Sequence, residues 1–251
     1  MRFAQNNGLK ARPAGEVMVK LGELFLGTPY LAGPLDGFGR EVIVSRLDAF
    51  DCFTFVEAML AMARGVASSD TTYAGYVQRT EEQRYRDGTA KGYCSRLHYF
   101  SEWIHANEKR GLVVNVTQQA GGDPFPKRFG FMSSHRSSYP ALVDEETFLC
   151  IGEAEVRLNK ELSLHYIPQD RIAEAYGSLK QGDMVATVTR IEGLDVTHTG
   201  LVYKDESGGT GLMHASTTGS VKISPDLQEY VQGVKAAVGI LVARAASPPG
   251  R

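Results

Sequence analysis

Two hydrophobic periods appear along this chain in a fixed order, and that order constrains its fold more than any other feature. Over residues 15–26, Val17, Met18, Leu21, Leu24 and Phe25 recur at helical spacing. Residues 28–39, TPYLAGPLDGFG, are too rich in Gly and Pro for a regular element, and residues 41–47 alternate well enough for a strand. In FDCFTFVEAMLAMARG, Asp51 reads as an N-cap, Phe55, Val56, Met59, Leu60 and Ala63 as an apolar stripe, and Gly65 as its stop. Further helices are expected over residues 71–85 and 98–108, with an RDGT turn between them. Residues 111–178 read as irregular, with DPFPKRFGF and SSHRSSYPAL as loops. The tail then changes character: MVATVT, THTGLVY, GLMHAS and VGILVAR are short β-rich runs parted by turn signals such as DESGG and TTGS. Helices first and strands last imply an α+β fold with an antiparallel sheet.

Charge and cysteine usage narrow the function. The 27 basic and 29 acidic residues nearly cancel and form no long run, so there is no electrostatic footprint for nucleic acid. No apolar stretch approaches the roughly 18 residues that span a bilayer. The opening MRFAQNNGLKARPAGEV lacks the apolar centre of a secretory signal. A periplasmic or cell-envelope location is expected if a signal segment has been removed, and a cytoplasmic one if the chain is complete as given. The 3 cysteines, Cys52, Cys94 and Cys150, form no CxxC pair, and their odd number leaves at least one thiol outside any internal disulfide. HExxH is absent as well, so no metal or other cofactor is expected.

Cys52 is the thiol with a purpose. At the first turn of a helix it would meet unpaired N–H groups and the positive end of the dipole, which lower a thiol pKa and can hold an oxyanion. An amide leaving group must also be protonated, and a histidine is the usual carrier. His198, in DVTHTGLVY, and His214, in GLMHAST, share one sheet face if KDESGGTG joins an antiparallel pair. His198 would then serve as base, with His214 holding its tautomer.

Several blocks carry a family resemblance. Gly27-Thr28-Pro29-Tyr30 and Asp51-Cys52 resemble the start of an NlpC-type cell-wall cysteine peptidase, and LKQGDM, HTGLVY and HAS resemble its end. The blocks FDCFTFVEAMLAMA, RYRDG, YCSRLHYFSEWI, FMSSH, TRIEGLDVTHTGLVY, HASTTGSVKIS and GILVAR are similar to one branch of that superfamily, the N-acetylmuramoyl-L-alanine amidases acting on anhydro-muropeptides. They run in family order from about Val17 to Arg244. The resemblance implies a papain-like core, a Cys-bearing helix packed on an antiparallel sheet. It also implies one domain over residues 1–251 with a large insertion at about 92–170. Cys52, His198 and His214 would be the catalytic residues, and Tyr30 the tyrosine lining the site beside Asp51.

The implied substrate is a GlcNAc-anhydroMurNAc-peptide-like muropeptide, cut between muramic acid and L-alanine. Endopeptidases of the superfamily usually read Asp-Cys-Ser-Gly where this chain has Asp51-Cys52-Phe53-Thr54, which argues for a reshaped cleft. Arg96, His98, Tyr99 and Trp103 in the inserted segment are candidate binding residues, and His135 a candidate cleft residue. Cys94 and Cys150 read as structural. A periplasmic location would allow them to pair, but nothing in the sequence places them together. The alternatives are a γ-D-glutamyl-diaminopimelate endopeptidase and, in another class, a non-catalytic muropeptide-binding module.

Overall fold

The computed structural model describes residues 2–246; position 1 and positions 247–251 of the expected domain range lie outside it. Its first half is helical: α1 (Arg2–Asn6), α2 (Ala14–Gly22), α3 (Cys52–Ser68), α4 (Tyr73–Arg84) and α5 (Phe100–Lys109). A mixed stretch follows, with β1 (Val113–Asn115), β2 (Asp123–Phe125), α6 (Phe131–Ser134), α7 (Glu145–Glu161) and β3 (Leu164–Pro168). The tail supplies β4 (Met184–Thr189), β5 (Val196–Lys204), β6 (Thr210–Ala215), β7 (Val221–Ser224), α8 (Leu227–Gln232) and β8 (Ala237–Ala245). The sheet runs β2-β3-β8-β4-β5-β6-β7, with β1 also paired to β8, and every pairing is antiparallel. This is the α+β class that the order of periods implies.

The central strands bury both faces. On one, Phe55, Met59 and Leu60 of α3 pack with Met18 of α2 against Leu201, Met213 and Leu241. On the other, Val185, Val202, Leu212 and Ile240 meet Leu227 and Val231 of α8. Each such side chain contributes roughly 1.5–3 kcal/mol by leaving water, so α3 is clamped to the sheet by several independent contacts. A third cluster, Tyr99, Phe129, Met132, Leu142, Ile151 and Leu158, forms within the middle of the chain. A Cys94–Cys150 disulfide, with Cα atoms 6.2 Å apart, ties α7 to the turn before α5.

Three local expectations are corrected. Residues 41–47 form no strand: Glu41 is drawn to Arg96, while the carbonyls of Val44 and Ser45 accept from Arg84 and Tyr73 side chains rather than from a strand. Helix α3 runs through Gly65 to Ser68, and Ser69 takes the left-handed cap at φ 61°. Gly65 serves close approach instead, since a Cβ there would meet Arg79 Nη2 at 2.5 Å and the Asp70 carbonyl at 2.7 Å. Residues 145–161, read as irregular, are the helix α7. Asp144 caps it by accepting from Thr147 N–H at 2.8 Å, with Glu145 and Glu146 in the first turn.

Candidate active site

The capping box that starts α3 also decides what surrounds the Cys52 sulfur. Asp51 N–H donates to Thr54 Oγ1 (3.0 Å), Thr54 N–H to Asp51 Oδ1 (2.7 Å), and Phe55 N–H to the Asp51 carbonyl (3.1 Å). Among the described residues, that leaves the Cys52 and Phe53 N–H groups of the first turn without a backbone partner. The Phe53 N–H lies between the Asp51 carboxylate and the thiol, and the N–H and hydroxyl of Thr199 face the thiol. Among the described residues, the buried Thr199 hydroxyl has no other hydrogen-bond partner.

The sequence reading expects a lowered thiol pKa, and the structure reverses it. Burial, and then the adjoining Asp51 carboxylate, push Cys52 up to about 11, more than the Thr199 and Phe53 donors offset. Tyr30 lies beside the same charges: burial, then Cys52 and Asp51, raise it to about 12. Its N–H donates to the Gly219 carbonyl at 2.8 Å, which fixes the phenol's stem.

Strands β5 and β6 bring the two histidines together. A 2.7 Å hydrogen bond joins His198 Nε2 to His214 Nδ1, with the rings crossed at 88°. His214 Nε2 bonds onward to Ser224 Oγ at 3.1 Å. Tyr230 of α8 packs against both rings, 4.7 Å from His214 and 5.7 Å from His198 between centroids. Burial lowers His198 to about 4; burial, then His198 and Lys222, lower His214 to about 3. Both rings are therefore neutral at pH 7, and His198 Nδ1 is the ring nitrogen that the His198–His214 bond does not use.

Cys52 and His198 line one cavity of about 180 Å³, together with Phe53, His98, Asp195 and Thr199. No hydrogen bond joins the sulfur to His198. His98 Nε2 donates to the Tyr93 carbonyl at 2.9 Å. Burial, then Arg96, lower its pKa to about 3, so its other nitrogen is an acceptor. Asp195 accepts from the Ser101 N–H (2.8 Å) and Val196 N–H (2.9 Å), locking the start of α5 to the start of β5.

The structure thus gathers Cys52, His198, His214, Tyr30, Asp51 and His98. It sets the remaining candidates apart. Arg96 is buried and gives four of its five N–H donors to Glu41, Asp36 and the Leu35 carbonyl. Tyr99 donates to buried Glu155 at 2.6 Å. Trp103 is 0% exposed and stacks on Phe100 at 5.1 Å. His135 is exposed and stacks on Phe131. Thr199, Ser224 and Tyr230 escape sequence reasoning; only Thr199, adjoining His198, carried a local signal.

Residues 20–240 match the family described as AmiA-like, N-acetylmuramoyl-L-alanine amidase-like. An N-acetylmuramoyl-L-alanine amidase from Bacteroides uniformis is similar in structure, at 31% identity and TM-score 0.87, covering 93% of this chain and 99% of its own. A Bacteroides fragilis protein provisionally named a xylanase is similar at 33% identity and TM-score 0.83, over 90% of this chain and 99% of its own. A Legionella pneumophila protein shares the fold at 19% identity and TM-score 0.71, over 96% and 92% of the two chains. No curated protein matches.

Proposed function

The chain belongs to the AmiA-like, N-acetylmuramoyl-L-alanine amidase-like family, and from that premise we propose that it hydrolyses the amide between a muramic or anhydro-muramic acid and L-alanine with Cys52 as nucleophile. The Cys-bearing α3 on its antiparallel sheet is read as an NlpC-type, papain-like core within one domain, with residues 92–170 as a family-specific insertion. The observation that carries the reading is the His198–His214–Ser224 hydrogen-bond line, whose first member shares a cavity with the Cys52 sulfur.

The thiol and imidazole are both neutral at rest, so the proton moves as the substrate is attacked. Cys52 Sγ forms a bond to the lactyl carbonyl carbon while His198 Nδ1 takes the thiol proton. The carbonyl oxygen gains the electron pair and is met by the Cys52 and Phe53 N–H groups. Collapse breaks the C–N bond; His198 returns the proton to the alanyl nitrogen, which leaves as the amine. Water, deprotonated by His198, then cleaves the thioester and restores the thiol.

Within the insertion, the Cys94–Cys150 disulfide favours an oxidising compartment, so a periplasmic or cell-envelope site of action is proposed. A glycosidase reading, which the xylanase name of one neighbour raises, has less support. Such enzymes need two carboxyl groups flanking the bond, and the cavity lining offers Asp195 alone, with its oxygens bound to N–H groups. A purified anhydro-muropeptide, digested and read by mass spectrometry, tests the proposal. Release of the intact stem peptide is expected. Release of L-Ala-D-Glu would make the protein an endopeptidase, and no product would make it a binding module.

A further inference from the structure

We propose that the cavity between the loop at residues 35–41 and the segment at residues 140–147 is a subsite for a neutral sugar ring, the part of the substrate that does not react. This rests on the amidase reading above. At about 180 Å³, the thiol cavity is smaller than the ~300–1,000 Å³ of sites that enclose a sizeable ligand. The second cavity, at about 410 Å³, falls within that range.

A contacting pair of residues, Tyr93 and His98, links the linings of the two cavities. Tyr93 lines the larger cavity, and its carbonyl accepts from His98 Nε2 at 2.9 Å. The Tyr93 and His98 rings pack 4.5 Å apart, and His98 lines the thiol cavity. A substrate whose amide lies at Cys52 would need to extend only past this ring pair to fill the second cavity.

The lining suits a pyranose. Phe38 is 53% exposed and offers an aromatic face to the apolar C–H face of a sugar. The Tyr93 hydroxyl makes no hydrogen bond to the described residues and is open to a ring hydroxyl. Asp36 holds Arg96 Nη1 through Oδ1 at 3.0 Å, which leaves Oδ2 to accept from another. Buried Arg96 is the brace: its bonds to the Leu35 carbonyl, Asp36 and Glu41 fix the wall before any ligand arrives. Arg96 thereby becomes a positioning residue for the subsite rather than a substrate contact.

Charge selects the sugar over the stem peptide. Asp36, Glu41 and Asp144 outnumber Arg40 and Arg96 around the cavity, so an acidic peptide is repelled where a neutral ring is not.

Equilibrium dialysis on the Cys52→Ala protein tests this, with N,N′-diacetylchitobiose as the neutral probe and L-Ala-γ-D-Glu-diaminopimelate as the acidic one. The saccharide should bind and the tripeptide should not displace it. Phe38→Ala, a change at an exposed side chain, should weaken saccharide binding about tenfold, and Tyr93→Phe should weaken it less. Absence of saccharide binding, displacement by the tripeptide, or affinity in Phe38→Ala within about twofold of its parent would overturn the subsite. Turnover is read separately: saccharide binding that depends on Phe38, in a protein that hydrolyses nothing, would sink the amidase reading and leave the subsite standing.

Discussion

Replacing Ser224 by alanine should slow the enzyme by changing where one proton sits. Two proton arrangements satisfy the His198–His214–Ser224 line. In the first, His198 Nε2–H donates to His214 Nδ1 and His214 Nε2–H donates to Ser224 Oγ, which leaves a lone pair on His198 Nδ1. In the second, every donor is reversed and His198 Nδ1 carries the hydrogen, so it cannot act as base. With serine present, the hydroxyl partners His214 Nε2 either way, as acceptor in the first and as donor in the second. With alanine, the first strands the His214 Nε2–H on a side chain that is 0% exposed, whereas the second strands only a lone pair at that nitrogen. A buried unpaired polar group costs about 1–3 kcal/mol, and an orphaned N–H is tolerated less well than an orphaned lone pair, so the productive tautomer falls by several-fold and by at most roughly a hundredfold. That loss should appear in kcat with KM little changed. It should also appear as a change of tautomer at His198 in ¹⁵N spectra, and Ser224→Thr, which keeps the hydroxyl, should restore both. A Ser224→Ala enzyme with kcat within about threefold of wild type and an unchanged His198 tautomer would refute the argument.

Four further outcomes are expected. With its pKa near 11, Cys52 should react with iodoacetamide at pH 7 roughly 300-fold more slowly than a free thiol, and about tenfold faster for each added pH unit; a plateau below pH 8 would contradict this. Cys52→Ser should abolish both the labelling and the turnover. Opening the Cys94–Cys150 bridge, which spans a sequence separation of 56, should lower stability to urea by about 2–4 kcal/mol, and an unchanged midpoint would show that the loop is held without it. Glu57→Gln should cost about 3–5 kcal/mol in the same assay by stranding the Arg84 guanidinium, which now sits 2.7 Å from Glu57 with both side chains buried; a loss below about 1 kcal/mol would mean that water reaches the pair.

What was legible in the sequence was local. Asp51 and Thr54 are i and i+3, so the start of α3 could be read off the chain, as could the turn that joins β5 to β6. Residues 41–47 were misread because Arg84 and Tyr73, distant along the chain, take the carbonyls a strand would have used. The α7 cap was present at Asp144 and Thr147, but its stripe is thin, with Ile151, Ala154 and Leu158 its buried apolar residues. No motif joined Cys94 to Cys150. Ser224 became visible only through the register: it pairs with Leu212, and β alternation then sets it diagonally beside His214 on the same face.

The thiol shows most clearly why a motif underdetermines chemistry. A cysteine opening a helix carries the same dipole whether it is bare or enclosed, and the dipole alone argues for a thiolate. Enclosure is set by residues from elsewhere in the chain: Tyr30 from the long loop, Thr199 from β5, Tyr230 from α8. Burial acts on both partners in one sense, raising Cys52 to about 11 and lowering His198 to about 4. A thiolate–imidazolium pair at rest is thereby disfavoured twice. In the proposed reaction the proton then moves when a carbonyl arrives to receive the negative charge and the Cys52 and Phe53 N–H groups gain an oxyanion to hold. The site is in that case quiet toward stray electrophiles and responsive to a substrate placed against α3, which makes positioning by the remote part of the substrate the step on which its rate depends.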